Sequence, residues 1–341
     1  EEPDISGNLK LLRTYVKVDY LNTKYSFTDE ILINKNNFSL NNFIVYDSLG
    51  NTATINGKIS HENFNDFYLD VNIKPNNLAC LNTTSAQNEE FYGDVFFSGD
   101  FNVKGALNDI FLDVTGKTEK KTSITIPISS TSDVSQNKYI TFINPNDTLD
   151  EEKEENLPVT DLGMDLKIDI TSDAGIEIIM PEQSGNIKAS GDGYIRLEMT
   201  PAGEFNIYGD YVISKGSFLF TLQNVINRYF NIRSGGTIKF NGDPTNADIS
   251  LRAVYSIRSP LSGLMLATDT TSSFNQRVPV DCIIDLKGKL FNPDIRFSIE
   301  LPGSDYETRQ LVYSQIDTSN QAQMSEQMIF LLVLNQFKPV S

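Results

Sequence analysis

The sequence predicts an all-β protein built around a long, mainly antiparallel sheet that is curled rather than flat. The first observation is a period of two, in which apolar and polar residues alternate along short segments in most of the chain. The second is the regular return of turn-forming Gly, Asn, Asp, Ser and Pro between those segments. We expect about 16 to 18 strands at the spacing typical of antiparallel meanders.

The alternation defines the individual strands and gives each of them one apolar face. In residues 67–74 the odd-numbered positions are Phe, Leu, Val and Ile, and the even-numbered positions are Tyr, Asp, Asn and Lys. The same pattern returns in five later segments, at residues 164–170, 195–199, 218–222, 249–253 and 295–301. Because one face of each strand is apolar, something has to cover that face.

Two interruptions divide the chain into three parts. Six of the nine residues at 147–155 are acidic, which is typical of a solvated loop. Near the end, helical patterns replace the strand pattern, first briefly at 305–315 and then more clearly at 320–337, where Ser325 is the expected N-cap. We therefore expect an N-terminal portion of elongated sheet at 1–156 that ends in the acidic loop, a second β portion at 157–304, and a helical segment at 305–341.

The apolar face of the sheet can be removed from water in two ways. A sheet of so many strands does not stay open and flat, so it either splits into a sandwich with a dry core or curls into a trough. A long apolar trough would suit acyl chains, and the pattern alone leaves both solutions open. In the second case the expected lining of the groove is Phe67, Leu69, Val71, Ile73, Ile195, Leu197, Met199, Phe218, Phe220 and Leu222.

The C-terminal helical pattern is apolar on almost every side. Such a helix is normally buried, either by its own chain or by a partner, and this one is too short to span a bilayer. We expect it to be the element that docks a partner. The expected docking residues are Met328, Ile329, Phe330, Leu331, Leu332, Val333, Leu334 and Phe337.

Composition excludes several classes of function. The 341 residues include 45 Asp and Glu against 28 Lys and Arg, and the net charge of −17 argues against nucleic-acid binding. The single histidine, His61, is expected at the surface, and two cysteines, Cys80 and Cys282, cannot form a disulfide framework or a metal site of their own. No nucleophile elbow, Walker loop or dinucleotide motif follows a strand. We therefore expect a protein that is not an enzyme and that holds no cofactor and no metal; whether the cysteines pair stays open.

The second half of the chain carries an ordered series of short phrases bounded by glycine and turn residues. In chain order they are GYIRL (193–197), FNIYGDY (205–211), KGSFLF (215–220), IRSGGTIKF (232–240), NGDPTNADISLRA (241–253), LKG (286–288) and NPDIRF (292–297). In this order, and closed by an apolar helix, they resemble the C-terminal domain of the TamB family, the translocation and assembly module proteins. The resemblance covers residues 185–341. Residues 1–150 match the family only in their pattern of short strands with alternating apolar and polar residues.

The resemblance implies a function and a location. TamB-like proteins are AsmA-like, bridge-type lipid transfer proteins with a periplasmic, taco-like body of curled β-sheet, an inner-membrane anchor and an Omp85-type (TamA-like) outer-membrane barrel as partner. We therefore expect a non-enzymatic periplasmic component at the outer membrane, cut from a longer anchored protein. It would carry phospholipid acyl chains along its trough, assist outer-membrane protein assembly, or do both. The alternative from the strand pattern alone is a secreted β-sandwich for adhesion or glycan binding.

Overall fold

The chain folds into a large, mostly antiparallel sheet. The computed structural model describes residues 6–89, 91–127, 161–180, 185–222, 226–264, 277–290 and 292–339. These residues form 18 strands of mixed sheet followed by two short helices. The predicted fold class is therefore confirmed, while the expected acidic loop at 147–155 lies outside the described residues.

Nine strands precede residue 128: β1 (Gly7–Val18), β2 (Thr23–Asn34), β3 (Asn37–Tyr46), β4 (Thr52–Glu62), β5 (Asn65–Asn76), β6 (Leu78–Thr83), β7 (Tyr92–Ala106), β8 (Asp109–Thr118) and β9 (Ser123–Pro127). Nine more follow: β10 (Asp161–Ile170), β11 (Gly175–Ile179), β12 (Gly185–Met199), β13 (Phe205–Leu222), β14 (Ile226–Ile232), β15 (Gly236–Gly242), β16 (Asp248–Pro260), β17 (Arg277–Lys289) and β18 (Asn292–Glu300). The helices are α1 (Tyr306–Gln315) and α2 (Gln321–Leu334).

The chain divides into two compact units. Unit 1 comprises Glu1–Gly175, Asp192–Tyr211 and Phe240–Pro244. Unit 2 comprises Ile176–Gly191, Val212–Lys239 and Thr245–Ser341.

In unit 1, each strand pairs mainly with the next one along the chain. β1 to β5 are antiparallel neighbours, and β5 then pairs with β7, which pairs with β8. β10 lies parallel to β8, and its other side pairs with the second half of β12 in antiparallel register. Because side chains alternate between faces along every strand, residues paired in this register share a face of the sheet.

The sheet of unit 1 curls between β2 and β6. Asn77, with φ of 54°, turns the chain between β5 and β6. β6 then approaches β2, where the Tyr25 hydroxyl donates to the Ala79 carbonyl oxygen at 2.7 Å. Between them lies a buried apolar cluster, formed by Leu40, Phe43, Val45, Ala53 and Leu78. The curl therefore closes the inner, apolar face of the sheet over these first strands.

Asp47 holds the corner where this curl begins. Its buried carboxylate accepts hydrogen bonds from the backbone N–H groups of Leu49, Asn51 and Ala79, and from the Asn51 side chain. Burial by itself would raise the pKa of Asp47, but the hydrogen bonds outweigh burial and lower that pKa. The carboxylate is thus ionised and joins the loop after β3 to strand β6.

Unit 2 has the same sequential order of strands. β13, β14, β16, β17 and β18 are successive antiparallel neighbours, and β15 pairs with β16 beside β14. On one face of this sheet the side chains are almost fully buried, among them Phe218, Phe230, Ile284 and Leu286. This face is therefore a dry core.

The two helices agree with the sequence prediction except at one cap. Asp305 caps α1 by accepting from the N–H of Thr308, and Asn320 caps α2 by accepting from Ala322 and Gln323. The expected N-cap Ser325 is wrong, because it lies inside α2 and its hydroxyl donates to the Gln321 carbonyl oxygen at 2.7 Å. Asn320 already accepts from the first free amides, and Ser325 bonds back along the helix instead.

The expectation that His61 lies at the surface is also wrong. Its side chain is buried, stacked on Phe64 at 4.6 Å between ring centroids and flanked by Phe38 and Phe67. Nδ1 of His61 accepts the N–H of Phe64 at 3.2 Å. The hairpin between β4 and β5 places Phe64 and Phe67 against the imidazole, and β3 contributes Phe38. The turn residues around His61 do not indicate these contacts.

Candidate functional site

A continuous apolar row crosses the inner face of unit 1. The strand register aligns one residue from each of seven strands on this face, and the row is Phe43, Ile55, Ile73, Phe101, Val114, Leu166 and Leu197. A second row runs beside it through Leu40, Gly57, Val71, Val103, Leu112, Met164 and Met199. With neighbouring strands about 4.8 Å apart, each row is roughly 30 Å long.

The expected groove residues of unit 1 all belong to this inner face. Ile73 and Leu197 lie in the first row, and Val71 and Met199 lie in the second. Ile195 faces the same way through its partner Ile168. Leu69 and Phe67 follow by alternation along β5. The register thus brings together seven of the ten residues.

The inner face is only partly covered over strands β7, β8, β10 and β12. Phe101, Val103, Leu112, Leu166 and Leu197 are half-buried, although all of them point to the apolar side of the sheet. In a dry two-layer core, side chains in these positions would be almost fully buried. Val114 and Met199 of the same rows are, however, only 2% and 7% exposed. Among the residues that the structure describes, this part of unit 1 is therefore an incompletely covered apolar face, and we call it the groove.

Two paired glycines on β7 and β8 leave room for an aromatic ring on the inner face of the sheet. Gly99 pairs with Gly116, and the ring of Phe97 lies over both. A Cβ atom on Gly116 would lie 2.6 Å from that ring and 2.3 Å from the Ser98 carbonyl oxygen. The glycines therefore allow Phe97 to lie flat against the sheet and to pack on Phe101, with ring centroids 5.3 Å apart.

The opposite face of the same strands is charged. The Asp165 carboxylate accepts two hydrogen bonds from the Arg196 guanidinium, at 2.8 and 3.0 Å, and Lys167 bridges Asp165 and Asp113. The Arg196 guanidinium, with a smaller contribution from Lys167, holds the pKa of Asp165 below its usual value. A shift of register by one residue would bring these charges into the groove, so they help to fix which face is apolar.

Phe218 and Phe220 have a different environment in unit 2. Phe218 is 1% exposed and Phe220 is 7% exposed. Phe220 lies 6.1 Å from Phe230 and 5.9 Å from Phe297 between ring centroids, in edge-to-face contacts. These rings form a packed aromatic core, and the side chain of Leu222 lies outside the described residues.

Helix α2 divides the expected docking residues into two groups. Met328, Leu331, Leu332 and Phe337 are buried by this chain, together with Met324. Ile329, Val333 and Leu334 are exposed, and Phe330 is half-buried. Arg228 donates from Nε to the carbonyl oxygen of Leu332 at 3.2 Å and so ties the end of α2 to β14. We call the three exposed residues the α2 stripe.

The chain offers little reactive chemistry among its described residues. Cys80 and Cys282 are both free thiols, and burial raises the pKa of each to about 12, so neither is a ready nucleophile. Within the described ranges, no group of three His, Cys, Asp or Glu side chains is placed to hold a metal ion. No helix there is long and apolar enough to cross a membrane.

Sequence reasoning missed the middle of the groove. Phe101 and Val103 on β7, and Leu112 on β8, lie between the residues that it selected. The signal was present, because residues 99–105 alternate if Gly99 and Gly105 are counted as inward positions. Glycine replaces an apolar side chain at those two positions and hides the period.

Comparison with known families identifies the chain. The family model of the TamB C-terminal domain matches residues 41–341. The chain belongs to the TamB family. Members of this family are non-enzymatic components of the translocation and assembly module that act with a partner in the outer membrane. The TamB match extends well beyond the phrases at 193–297 and takes in most of the groove. A search of curated proteins found no match to the chain.

Proposed function

We propose that this TamB-domain chain carries phospholipid acyl chains in the groove of unit 1 and docks on an Omp85-type barrel protein through the α2 stripe. Its site of action is the periplasm at the outer membrane, within a longer protein anchored in the inner membrane. Assistance to outer-membrane protein assembly is a further part of the same proposal, since both roles need a docked, extended apolar surface.

The observation that carries the proposal is the partial burial of one continuous apolar face. An acyl chain needs a long apolar contact with few polar groups, because its methylenes gain about 0.8 kcal/mol each on leaving water. The half-buried Phe, Val, Leu and Met side chains on the inner face of β7, β8, β10 and β12 provide such a contact. The charged side chains of the same strands point away from it.

Site-specific photocrosslinking tests the contact between lipid and groove. We expect a photoreactive phenylalanine analogue in place of Phe101 to crosslink to phospholipid in envelopes of cells that make the chain. The same analogue in place of Tyr194, which is exposed on the opposite face, is the control and should give no lipid adduct. Equal labelling at both positions, or none at Phe101, would contradict lipid carriage.

The α2 stripe is the support for docking. Ile329, Val333 and Leu334 are 39%, 43% and 54% exposed on a helix whose other side is fixed to the sheet. Because these side chains are already about half covered, burying the rest of each in an interface would contribute about 1 kcal/mol apiece, and the three together are enough to weaken a complex markedly when removed.

Replacing all three stripe residues by Ser should abolish co-purification with the barrel partner and leave the melting temperature within about 2 °C of wild type. The matched control changes three exposed polar positions of the same segment, Gln323, Glu326 and Gln336, to Ser and should retain the partner. Retention of the partner by the stripe variant would show that docking occurs elsewhere. Deleting residues 320–341 is a poorer test, because it also removes the buried residues Met324, Met328 and Leu331.

A further inference from the structure

Strand β18 has a second edge that no described strand occupies. One side of β18 pairs with β17, with Phe297 opposite Ile284 and Ile299 opposite Cys282. In an antiparallel pair, every second residue turns its N–H and C=O away from the partner strand. Phe297 and Ile299 are such residues, because their backbone groups bond to side chains that follow β18 in the chain.

Gln321 satisfies this edge in the way that a strand would. The N–H of Phe297 donates to Oε1 of Gln321 at 3.0 Å, and Nε2 of Gln321 donates to the Phe297 carbonyl oxygen at 3.4 Å. A residue of a neighbouring strand would make the same pair of bonds with its own backbone amide. Two residues further on, the Tyr313 hydroxyl donates to the Ile299 carbonyl oxygen at 3.3 Å. The two side chains thus imitate a short piece of strand.

The side chains of Gln321 and Tyr313 are exposed, so packing does little to fix them. Gln321 is exposed at the first position of α2, and Tyr313 is 38% exposed on α1, whose one buried helical residue is Val312. The firm anchors of α2 lie further along it, at Met324, Met328 and Leu331. Because α2 itself lies against β18, uncovering the edge requires the first turn of α2, ahead of Met324, to move together with the side chains of Gln321 and Tyr313.

We propose that the outer edge of β18 is an acceptor site for an extended polypeptide strand, and that Gln321 and Tyr313 keep it closed until such a strand arrives. The ligand class is an amphipathic strand: its backbone would pair with Phe297 and Ile299. Its apolar side chains would continue the face that carries the exposed Ile295. The site is separate from the groove and from the α2 stripe, so it is testable even if lipid carriage or docking fails.

We call the Gln321 and Tyr313 side chains on β18 the plug, and the test measures how strongly a strand binds after the plug is removed. The probe is a fluorescent peptide that copies β17, residues 277–289, with Cys282→Ser. We expect the double variant Gln321→Ala, Tyr313→Phe to bind it about tenfold more tightly than wild type, because competing hydrogen bonds are lost. Exchange of the Phe297 amide hydrogen should rise in this variant and fall again when peptide is added.

Two controls separate strand pairing from other effects. The variant Gln323→Ala, Tyr306→Phe changes the same residue types at exposed positions whose side chains make no described bond to β18, and it should bind as wild type does. A peptide with alternate backbone nitrogens methylated should show no gain. If the double variant melts at a lower temperature than wild type, the binding experiment uses Gln321→Glu in its place. This variant keeps the acceptor for the Phe297 N–H and loses the donor to the Phe297 carbonyl oxygen. No gain in affinity over the control, or an equal gain with the methylated peptide, would overturn the proposal.

Discussion

Phe218→Asp abolishes the cooperative folding of unit 2. Phe218 is 1% exposed and packs at 6.3 Å from Phe220 between ring centroids, inside the aromatic core. Removing a buried phenylalanine costs about 3 to 5 kcal/mol, and an unpaired buried carboxylate adds to that cost. Because whole domains are stable by only about 5 to 15 kcal/mol, we expect loss of the folded state in thermal melts followed by circular dichroism.

The matched change is Tyr229→Asp, at the position in β14 that directly precedes the buried Phe230 and is itself 65% exposed. It should melt close to wild type, since a surface carboxylate stays hydrated. If Phe218→Asp instead melts like this control, the aromatic residues of unit 2 line an open cavity and do not form a dry core.

Two carboxylates in the groove should remove bound lipid while the fold remains. Leu112→Asp and Leu197→Asp place charges on half-buried positions of β8 and β12. Water reaches these positions, so the charges remain partly hydrated and the cost in stability is modest. An acyl chain beside them would have to strip that water, which is unfavourable. We expect the affinity for a fluorescent phospholipid to fall at least about tenfold, measured by titration of the purified chain.

The control for this pair uses the same two strands. Phe111 directly precedes Leu112, and Tyr194 directly precedes the inward-facing Ile195; both are exposed on the opposite face. Asp at both should leave lipid affinity unchanged. Equal loss in test and control would mean that the charge acts through the fold or through general repulsion, and no loss in the test would remove the groove as the lipid site.

The period of two was sufficient to predict the fold class and the inner face. It assigned Leu69, Val71, Leu197 and their neighbours to one side of their strands, and strand register then places them together. Alternation alone cannot say what covers that side. For this reason Phe218 and Leu197 have the same sequence pattern, although one is in a dry core and the other is half-buried.

Features that depend on distant contacts were not predictable in the same way. His61 is buried because a hairpin folds Phe64 and Phe67 over it, and nothing in its immediate sequence requires that. The N-cap of α2 was misplaced because Ser325 and Asn320 are both good caps by residue type, and only the hydrogen bonds distinguish them. The contact of Gln321 with β18 joins residues 24 positions apart and leaves no periodic pattern in the sequence from which it could be predicted.

The parallel pairing of β8 with β10 has a consequence for the order of folding. The hairpin-linked strands of unit 1 bring together residues that are close in the chain, and such contacts form quickly. Each paired residue of β10 lies opposite a residue of β8 that is 52 positions earlier in the chain, as Asp161 does with Asp109, so this pairing has a larger loop-closure cost than any hairpin before it gains a contact. We therefore expect β1–β8 to assemble first, with the attachment of β10 as the late, rate-limiting event. The half-formed sheet that precedes it exposes the edge of β8, and a nascent chain is most open to mispairing at that moment.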